Sequence, residues 1–458
     1  MKRVLVFSVL AAFSPSATAG DWPTYMGDAS RSGVSPDPLE PPLAEAWSFH
    51  TPLPPQPAWP DAAKWDGWHK VWGLKTRMTF DRCYHPVTAG DAVYFGSSSS
   101  DQLYCLDARS GKKRWSVFTE GPVRLAPVVH EGRVYFGSDD GLVYCVDASH
   151  GSPIWTQRPG PRERRVAGNG RLISAWPVRG GLVAFDGVLY GAAGVFPSEK
   201  VYVFALKLQD GATVWSTEMV DLPAQGYLLA SASRLYVPSG RNNPMVFDRL
   251  GGKRLRVVDG QGGSYCLLAG GKRLIFGPGR TGELGLVEGE RKDQLVSFKG
   301  HRMLVTPRFS YLQTDAELSS LDRPEYLRVA RQRKALQSRR GRASGSLKKL
   351  GKNGARTPEA RKLREEIAKI GAEIGRAEKA MTACLRWRVS CDSPDALILA
   401  GNVLYAGGED RVTAWSAADG REIWRGRVEG RVLGLAAAGG RLYASTDRGG
   451  IHCFTEAR

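Results

Sequence analysis

The sequence predicts an all-β protein, an eight-bladed β-propeller of four-stranded blades with an inserted α-helical hairpin. Three observations carry this prediction: a strand-rich repeat, eight copies of its central strand, and one interval that is about 60 residues too long. The repeat is clearest in DAVYFGSSSSDQLYCLDARSGKKRW at 91–115 and GRVYFGSDDGLVYCVDASHGSPIW at 132–155. A period of about 40 residues with strand–turn–strand content is typical of a propeller blade.

Each repeat contains one strand with a central aromatic residue. The eight aromatic positions are Tyr94, Tyr135, Tyr190, Tyr236, Phe276, Tyr311, Tyr405 and Tyr443. Their spacing is 35 to 55 residues, except for 94 residues between Tyr311 and Tyr405. Residues 309–323 align with 134–148, and the strand that should follow arrives only at Trp387. The sequence therefore predicts an insertion at 324–383 between propeller segments 21–323 and 384–458.

The last repeat lacks its final strand. The chain ends at HCFTEAR, where a strand with a tryptophan is expected, and residues 43–49, LAEAWSF, have the required pattern. Closure of a propeller ring leaves no open sheet edge between the first and last blades. We therefore predict that this N-terminal strand completes the last blade.

Tight turns and tryptophans recur together in the repeat. The pairs Ser110-Gly111, His150-Gly151, Asp210-Gly211 and Asp419-Gly420 each supply a glycine that allows a positive φ in a turn. A tryptophan follows each glycine by four residues and is expected to pack between blades. The predicted blade tryptophans are Trp47, Trp115, Trp155, Trp215, Trp387 and Trp424.

These residues form the pattern D-A-x-x-G-x-x-x-W, which spans Asp107–Trp115 and Asp147–Trp155 and has weaker copies ending at Trp215 and Trp424. The pattern resembles the quinoprotein-type, or PQQ-like, β-propeller repeat over nearly all of the chain outside the insertion. The resemblance implies eight blades and one of two functions. One branch of this family contains alcohol dehydrogenases that bind pyrroloquinoline quinone (PQQ) and calcium. The other, BamB-like branch is non-catalytic and acts in outer-membrane β-barrel assembly.

The cysteines depart from both branches. The resemblance implies a disulfide between adjacent cysteines in the enzymes and a lipid-modified cysteine at the signal cleavage site in the BamB-like proteins. This sequence has neither; its seven cysteines are Cys83, Cys105, Cys145, Cys266, Cys384, Cys391 and Cys453. No cluster of Asp, Glu or Asn indicates a calcium site. We therefore expect no cofactor, with PQQ and Ca²⁺ as the alternative, and leave the pairing of Cys384 with Cys391 open.

Residues 1–20 have the pattern of a signal peptide. Lys2 and Arg3 precede an apolar stretch from Val4 to Phe13, and Ala17-Thr18-Ala19 fits the small-residue cleavage rule. The apolar stretch is too short to be a transmembrane helix. We expect a soluble, exported protein, periplasmic or extracellular, with no transmembrane helix and no lipid-anchor cysteine.

The insertion is basic and lacks strand alternation. It holds 17 Lys and Arg against 6 Glu, a net charge of +11 out of +18 for the whole chain. Thr357 and Pro358 are typical of a helix start, and apolar residues from Leu363 to Met381 recur every three or four positions. Residues 324–340 also predict a helix, and residues 341–356 a mobile tip. A helical hairpin with its apolar seam between its own two helices follows from this pattern.

The outer face of the predicted hairpin is either solvated charge or a contact for an anionic membrane or an acidic protein. Nucleic acid is not expected, because the protein is predicted to be exported and no aromatic residues interleave the basic ones. The candidate interaction residues are Arg328, Arg331, Arg333, Lys334, Arg339, Arg340, Lys348 and Lys349.

Two further sets of residues are candidates for binding. The segment 59–72 contains Trp59, Trp65, Trp68 and Trp72, which either cover a propeller face or form a recognition patch. The second set is a candidate ligand or anion pocket at one mouth of the ring, although loop arginines are more often solvated or bonded to carbonyls. Its members are Arg82, His85, Arg124, Arg171, Trp176, Arg179, Tyr227 and Arg241.

No catalytic motif is visible in the sequence. It has no nucleophile elbow, no zinc-protease helix and no phosphate loop, and its seven histidines lack metal-ligand spacing. We predict a non-catalytic binding or assembly scaffold of the cell envelope, with envelope proteins as partners. The alternatives are a PQQ-dependent dehydrogenase or another enzyme at the channel mouth, and a ligand-sensing propeller.

Overall fold

The structure is a computed structural model. It describes residues 20–58, 65–66, 70–72, 80–240, 242–260, 262–279, 282–291, 293–351 and 356–457. The predicted signal peptide lies outside the described residues, apart from Gly20.

Most of the chain folds into antiparallel sheets whose strands pair in chain order. Ahead of them come β1 (Val34–Ser35), β2 (Leu43–His50), β3 (Trp65–Asp66) and β4 (Val71–Trp72). Sheet A contains β5 (Val87–Ala89), β6 (Ala92–Ser97), β7 (Gln102–Asp107) and β8 (Lys113–Phe118). Sheet B contains β9 (Val128–His130), β10 (Arg133–Gly137), β11 (Val143–Asp147) and β12 (Pro153–Gln157).

A separate hairpin of β13 (Arg165–Gly168) and β14 (Arg171–Ser174) precedes the middle sheets. Sheet C contains β15 (Gly180–Phe185), β16 (Val188–Ala193), β17 (Val201–Lys207) and β18 (Thr213–Met219), with β19 (Gly226–Tyr227) at its edge and a 3₁₀ turn at Pro197–Glu199. Sheet D contains β20 (Leu229–Ala230), β21 (Arg234–Ser239), β22 (Asn242–Asp248) and β23 (Arg254–Val257).

The remaining sheets complete the series. Sheet E contains β24 (Tyr265–Ala269), β25 (Arg273–Gly277), β26 (Glu283–Glu288) and β27 (Val296–Lys299). Sheet F contains β28 (Arg302–Val305), β29 (Phe309–Gln313), β30 (Glu317–Asp322) and β31 (Leu385–Ser390). Sheet G contains β32 (Ala396–Ala400), β33 (Val403–Ser416), β34 (Glu422–Ala438), β35 (Arg441–Thr446) and β36 (Gly450–Glu456), with β1 and β2 at its edges.

Sheet G is a seven-stranded sheet with two long strands, β33 and β34. The second half of β33 pairs with the start of β34, and the second half of β34 pairs with β35. Strand β2 then pairs antiparallel with β36, so that Leu43 lies opposite Glu456 and His50 opposite Gly450. The N-terminal strand is therefore hydrogen-bonded to the last strand of the chain.

Burial decreases from the inner to the outer strands of a sheet. All six residues of β6 are buried, whereas β8, the last strand of the same sheet, has only exposed and half-buried residues. β-Branched and aromatic residues fill the inner strands because both faces of each sheet pack against neighbouring sheets. The core therefore lies between the sheets.

Tryptophans on the last strands connect one sheet to the next. The ring nitrogen of Trp155 in sheet B donates to the carbonyl of Leu208 in sheet C at 3.2 Å. The same contact recurs from Trp47 to Ala108, Trp215 to Arg249 and Trp387 to Ala417, and within sheet G from Trp424 to Leu43. The ring of Trp115 lies against Gly151 of sheet B, but its buried nitrogen has no partner among the described residues. The contact from Trp47 joins sheet G to sheet A.

Sheet D has an arginine in place of this tryptophan. Arg256 lies opposite Val246, the register position that Trp155 and Trp215 occupy in their sheets. Its guanidinium donates to the carbonyl of Gly289 in sheet E at 2.7 Å and pairs with Glu290 at 2.6 Å. An arginine thus makes the same contact to a turn carbonyl that the tryptophans make elsewhere.

Two helices lie between β30 and β31, within sheet F. Helix α1 (Arg323–Lys349) is capped by Asp322, and helix α2 (Pro358–Ala383) is capped by Thr357. At their base, Leu327, Ala330 and Met381 pack into the core of sheet E, and Tyr326 stacks on Phe298 at 5.3 Å. The base of the helical pair is therefore part of the core.

The predicted mobile tip is wrong over residues 341–349, because α1 continues to Lys349. Gly341 and Gly345 lower helix propensity by about 1 kcal/mol each relative to Ala, which led the sequence to predict a loop. In the structure Ala343 is buried and the two helices pack along each other, so tertiary packing outweighs local propensity.

Candidate functional site

The N-terminal segment Gly20–Ser35 lies across the first strands of the sheets, and we call it the plug. Its main chain exchanges hydrogen bonds with Thr88 of sheet A and accepts from the amide of Val129 in sheet B. Farther along it accepts from the amides of Ala230, Leu268 and Leu399 in sheets D, E and G, over distances of 2.8–3.1 Å. The first strands of these sheets therefore converge on the plug, and we call the space that they surround the central channel.

Arg31 anchors the plug. Its side chain is completely buried and donates to the carbonyls of Leu182 at 2.7 Å and Leu228 at 2.9 Å, next to sheets C and D. The same guanidinium donates to Thr24 and lies 5.6 Å from the centre of the Tyr227 ring. Burial lowers the pKa of Arg31 to about 10, so the group remains a cation at neutral pH. This cation donates its hydrogen bonds to main-chain carbonyls and to the Thr24 hydroxyl rather than to a carboxylate.

An aromatic stack joins the plug residue Tyr25 to Tyr227 of sheet C. Tyr25 stacks on Tyr227 with ring centres 3.6 Å apart, and His85 meets the edge of Tyr25 at 5.0 Å. The Tyr227 hydroxyl accepts from the amide of Ala126 at 2.8 Å. Beside this stack lies a cavity of about 40 Å³, whose lining includes Tyr25, His85, Tyr227, Tyr265, His301 and Arg302. Its volume admits only one or two water-sized molecules.

Burial favours the neutral forms of His85 and of the three tyrosines that line this cavity. It lowers the pKa of His85 to about 4, helped by the positive charge of Arg302 and opposed by a hydrogen bond with the carbonyl of Phe80. Burial also raises the pKa of the Tyr25, Tyr227 and Tyr265 hydroxyls, of the Cys266 thiol in the lining and of the Cys83 thiol next to His85. At neutral pH these groups therefore offer neutral donors and acceptors, and Arg302 adds a positive charge to the lining.

A second polar cluster lies beside the first cavity, with Phe80 lining both. Arg124 donates to one carboxylate oxygen of Asp139 at 2.6 Å, and Arg179 binds both oxygens at 2.7 Å. Asp81 lies 3.6 Å from Arg124 and accepts from the amide of Ala58 at 2.6 Å. Burial opposes ionisation of Asp139, but Arg179 and Arg124 keep its pKa below the ordinary value. Two arginines and two carboxylates thus compensate one another around a void of about 10 Å³.

The predicted anion pocket is divided by this arrangement. His85 and Tyr227 line the 40 Å³ cavity, whereas Arg124 and Arg179 line the smaller void. Arg171 pairs with Asp101, and the ring nitrogen of Trp176 donates to the carbonyl of Glu199 at 2.6 Å. Arg82 is half-buried, next to Asp81, and Arg241 lies outside the described residues. The arginines at the centre of the set contact carboxylates of the chain itself.

The tryptophan-rich segment is described only in part. Trp65 and Trp72 lie opposite each other in the short pair β3–β4, and Trp72 is exposed. Trp59 and Trp68 lie outside the described residues.

Five of the eight predicted basic interaction residues have a carboxylate partner. Arg331 pairs with Glu288 of β26, and Lys334 pairs with Asp293 in the turn between β26 and β27. The other three pairs lie within the two helices and join Arg328 to Glu325, Arg333 to Glu378 and Arg339 to Glu366. Arg340, Lys348 and Lys349 are exposed near the far end of the helical pair.

All seven cysteines are buried free thiols, including Cys384 and Cys391. In the part of the chain that the structure describes, no group of three or more His, Cys, Asp or Glu side chains is arranged to hold a metal ion. Within the same residues, no helix has the length and apolarity needed to cross a membrane.

Sequence reasoning missed the plug, Arg31 and Asp139. Asp139 lies in the turn Asp139-Asp140-Gly141, and nothing in the repeat indicates that it binds two arginines. The plug precedes the first repeat, so periodicity carries no information about it. A single arginine within the small-residue segment Gly27-Asp-Ala-Ser-Arg31-Ser-Gly33 was the one available indication of a buried contact.

Solved structures with similar coordinates establish the fold. The chain superposes over 97% of its length on 82% of quinohemoprotein alcohol dehydrogenase from Comamonas testosteroni, with a TM-score of 0.61 and 13% sequence identity. A europium-containing methanol dehydrogenase gives a TM-score of 0.57 at 11% identity, over 93% of this chain and 89% of the other. The molecule is therefore mostly β and has the propeller fold of the quinoproteins, which confirms the resemblance seen in the repeat.

The family follows from the sequence match. Residues 66–234 and 371–457, more than half of the chain, match the family described as outer membrane protein assembly factor BamB, and the chain belongs to this family. It is 30% identical to BamB of Salmonella typhimurium over 95 residues, 21% of this chain and 22% of that protein. It is also 29% identical to the 1-butanol dehydrogenase (cytochrome c) of Thauera butanivorans over 205 residues, 40% of this chain and 27% of the enzyme. These matches span about a quarter of the relatives' lengths.

Proposed function

We propose that this protein is an exported, non-catalytic scaffold that binds partner proteins in the cell envelope. The observation that carries the proposal is the filled central channel. The plug, the Tyr25–Tyr227 stack and the compensated Arg124–Asp139–Arg179 cluster leave cavities of about 40 and 10 Å³. Pockets for organic ligands are typically about 300–1,000 Å³. A protein with such a channel binds its partners on its outer surfaces.

The residues of the channel do not fit PQQ with calcium. The 40 Å³ cavity is much smaller than a tricyclic quinone, and its lining includes three neutral tyrosines, a neutral His85, His301 and the cation Arg302. In the neighbouring cluster Asp139 is bonded to two arginines, and Asp81 lies 3.6 Å from Arg124. The relationship to the butanol dehydrogenase keeps a PQQ-dependent enzyme as the alternative function. That alternative requires the plug to leave the channel.

We further propose that the sheets form eight blades in a closed ring, with sheet G supplying two of them. Support comes from the contacts between last strands and turns, which run from Trp155, Trp215, Arg256 and Trp387 to the following sheets and from Trp47 back to sheet A. In this proposal residues 21–323 and 384–458 form the propeller, and residues 324–383 are a helical arm inserted in one blade.

We propose the distal end of the arm as one of the partner-binding surfaces. Arg340, Lys348 and Lys349 are exposed there, whereas the basic residues nearer the base pair with carboxylates. Exposed cations attract an anionic membrane or an acidic protein, and salt weakens this attraction over a Debye length of about 8–10 Å. Export and the basic charge are consistent with an envelope location.

The decisive experiment on catalysis is a titration of the mature protein with PQQ in the presence of Ca²⁺. Melting temperature and tryptophan fluorescence are followed, with Ca²⁺ alone as the control. We expect neither signal to change up to high micromolar PQQ. A saturable rise in melting temperature together with fluorescence quenching would establish the enzyme alternative instead.

The arm is tested by sedimentation with vesicles that contain one-third phosphatidylglycerol. We expect the triple variant Arg340→Glu, Lys348→Glu, Lys349→Glu to lose most of the salt-sensitive vesicle binding of the parent. The matched control reverses Arg109, Lys112 and Lys113, three exposed cations at the end of sheet A, and should retain it. Equal loss in both triple variants would assign the binding to net charge and not to the arm.

A further inference from the structure

A cleft of about 670 Å³ lies between sheets E and F, beside the plug and the start of α1. Its apolar wall consists of Val305, Pro307, Pro324 and Leu327, and Ser30, Ser32 and Thr306 contribute polar groups. The volume is within the range of about 300–1,000 Å³ that is typical of pockets for organic ligands. This cleft is more than ten times larger than either cavity of the central channel.

Arg323, the first residue of α1, lines this cleft with an incompletely bonded guanidinium. The residue is 7% exposed, and one terminal nitrogen donates to the carbonyls of Thr306 at 2.6 Å and Pro307 at 2.8 Å. Its buried Nε has no hydrogen-bond partner among the described residues. A buried cation without a counter-charge is costly, and a buried donor without an acceptor adds about 1–3 kcal/mol.

Two more arginines line the same cleft and share one carboxylate. Arg331 forms a two-point contact with Glu288 at 2.6 and 3.0 Å, and Arg273 donates to the same carboxylate at 2.8 Å. Asp28, the acidic residue on the plug side, already accepts from the amides of Ser30 and Ser32 and from the Ser32 hydroxyl. The positive charge of Arg273 and burial both act against the Arg323 cation, and burial is the larger cause of its lowered pKa. Three arginines and two carboxylates leave one positive charge uncompensated.

We propose that this cleft binds a small organic anion, whose carboxylate or phosphate head group contacts Arg323 and Arg273 and whose apolar body lies along Val305, Pro307 and Leu327. A planar guanidinium matches the oxygens of either head group and binds them in pairs. The site is separate from the distal arm, and its occupancy does not depend on the scaffold function proposed above.

The experiment measures the binding of three probes to the mature protein by calorimetry and by melting temperature. Octanoate and octyl phosphate each combine an apolar body with one of the two head groups, and inorganic phosphate has the charge alone. We expect saturable binding of octanoate or octyl phosphate with a raised melting temperature, and at least tenfold weaker binding of inorganic phosphate. Whichever of octanoate and octyl phosphate binds more tightly shows which head group the cleft prefers. The proposal is overturned if neither probe binds saturably up to 5–10 mM. This concentration corresponds to a weak site with a binding free energy of about −3 kcal/mol.

Three variants assign the binding to the cleft. Arg323→Met should lower the affinity for the probe at least tenfold. Glu288→Gln should raise this affinity severalfold, because the substitution removes the carboxylate that Arg273 and Arg331 share. Arg361→Met removes the same charge from an 84% exposed side chain on α2 and should leave affinity unchanged. If Arg323→Met does not fold, Arg273→Met replaces it with the same expectation. If the affinity is unchanged in Glu288→Gln and also in the arginine variants of the cleft, the probe binds elsewhere.

Discussion

His85 is a histidine that the fold holds in its neutral form. It contacts Tyr25 and lies 3.7 Å from the Cys83 sulfur, inside the wall of the central channel. Burial and the positive charge of Arg302 disfavour the imidazolium, and no carboxylate among the described residues offsets them. The hydrogen bond with the Phe80 carbonyl favours the protonated form but does not outweigh burial, so the protonation of this single residue is linked to the stability of the folded state.

We predict that the free energy of unfolding decreases as the pH falls from about 6.5 to about 4. In this window the unfolded chain binds a proton at His85, whose ordinary pKa is 6.5, while the folded chain with a pKa of about 4 does not. A difference of this size corresponds to about 3 kcal/mol. Urea unfolding at pH 7 and at pH 4.5 measures the slope, which the variant His85→Gln should reduce. An equally steep slope in the variant would assign the pH dependence to other groups.

At the scale of the single residue, the sequence predicted which side chains are near the channel but not what they do there. His85, Arg124, Arg179 and Tyr227 do line the two channel cavities. Their partners Asp139 and Tyr25 come from a hairpin turn and from a segment outside the repeat, and neither position is marked by residue type or spacing. Whether a carboxylate balances the charge of a buried arginine depends on contacts between residues that are far apart in the sequence.

The contact between a tryptophan and the turn of the next sheet is the recurring joint between elements. The turn glycines 111, 151, 211, 252 and 420 all have positive φ, and a Cβ at each would lie 2.5–2.7 Å from the tryptophan ring of the preceding sheet. The glycine thus has two roles, since it permits the left-handed turn and also allows the ring to approach.

We predict that Gly211→Ala destabilises the protein by clearly more than Gly187→Ala. Both glycines have a φ of +73°, so both substitutions carry the backbone strain of about 1 kcal/mol. The added Cβ at 211 meets Trp155 at 2.7 Å, whereas at 187 nothing lies within 4 Å. Overpacking typically adds about 1–3 kcal/mol, which thermal or urea unfolding resolves. Equal losses in the two variants would show that the ring moves aside freely.

At the scale of the element, the repeat predicted strands, turns and tryptophans because these are local and periodic. The repeat did not predict the contact from Arg256 to sheet E, because an arginine at that position does not indicate from the sequence that it packs against the next sheet. Helix α1 was predicted nine residues too short, since Gly341 and Gly345 favour a loop unless a second helix packs alongside. Deviations from the repeat are thus the positions where tertiary contacts decide the structure.

The plug connects sheets that are distant in the chain. Within fifteen residues it bonds to sheets A, B, D, E and G, and through Arg31 to the carbonyl of Leu182 in sheet C. Strand β2 follows it and pairs with β36. Both ends of the chain therefore hold the sheets together, which the periodic pattern indicated for β2 but not for the plug.

We predict that Arg31→Met lowers the free energy of unfolding of the whole molecule by about 3 kcal/mol or more. The substitution leaves the buried carbonyls of Leu182 and Leu228 without a donor, and each unsatisfied group costs about 1–3 kcal/mol. Because the plug contacts most of the sheets at once, its loosening should lower the stability of all of them together.

Hydrogen exchange of core amides checks this prediction. The exchange of slow amides in sheets A, E and G should accelerate as much as that of slow amides in sheets C and D. An effect confined to sheets C and D would show that Arg31 is a local anchor and that the sheets are joined mainly by their tryptophans. The exposed Arg109→Met serves as the control, and its exchange pattern should match the parent.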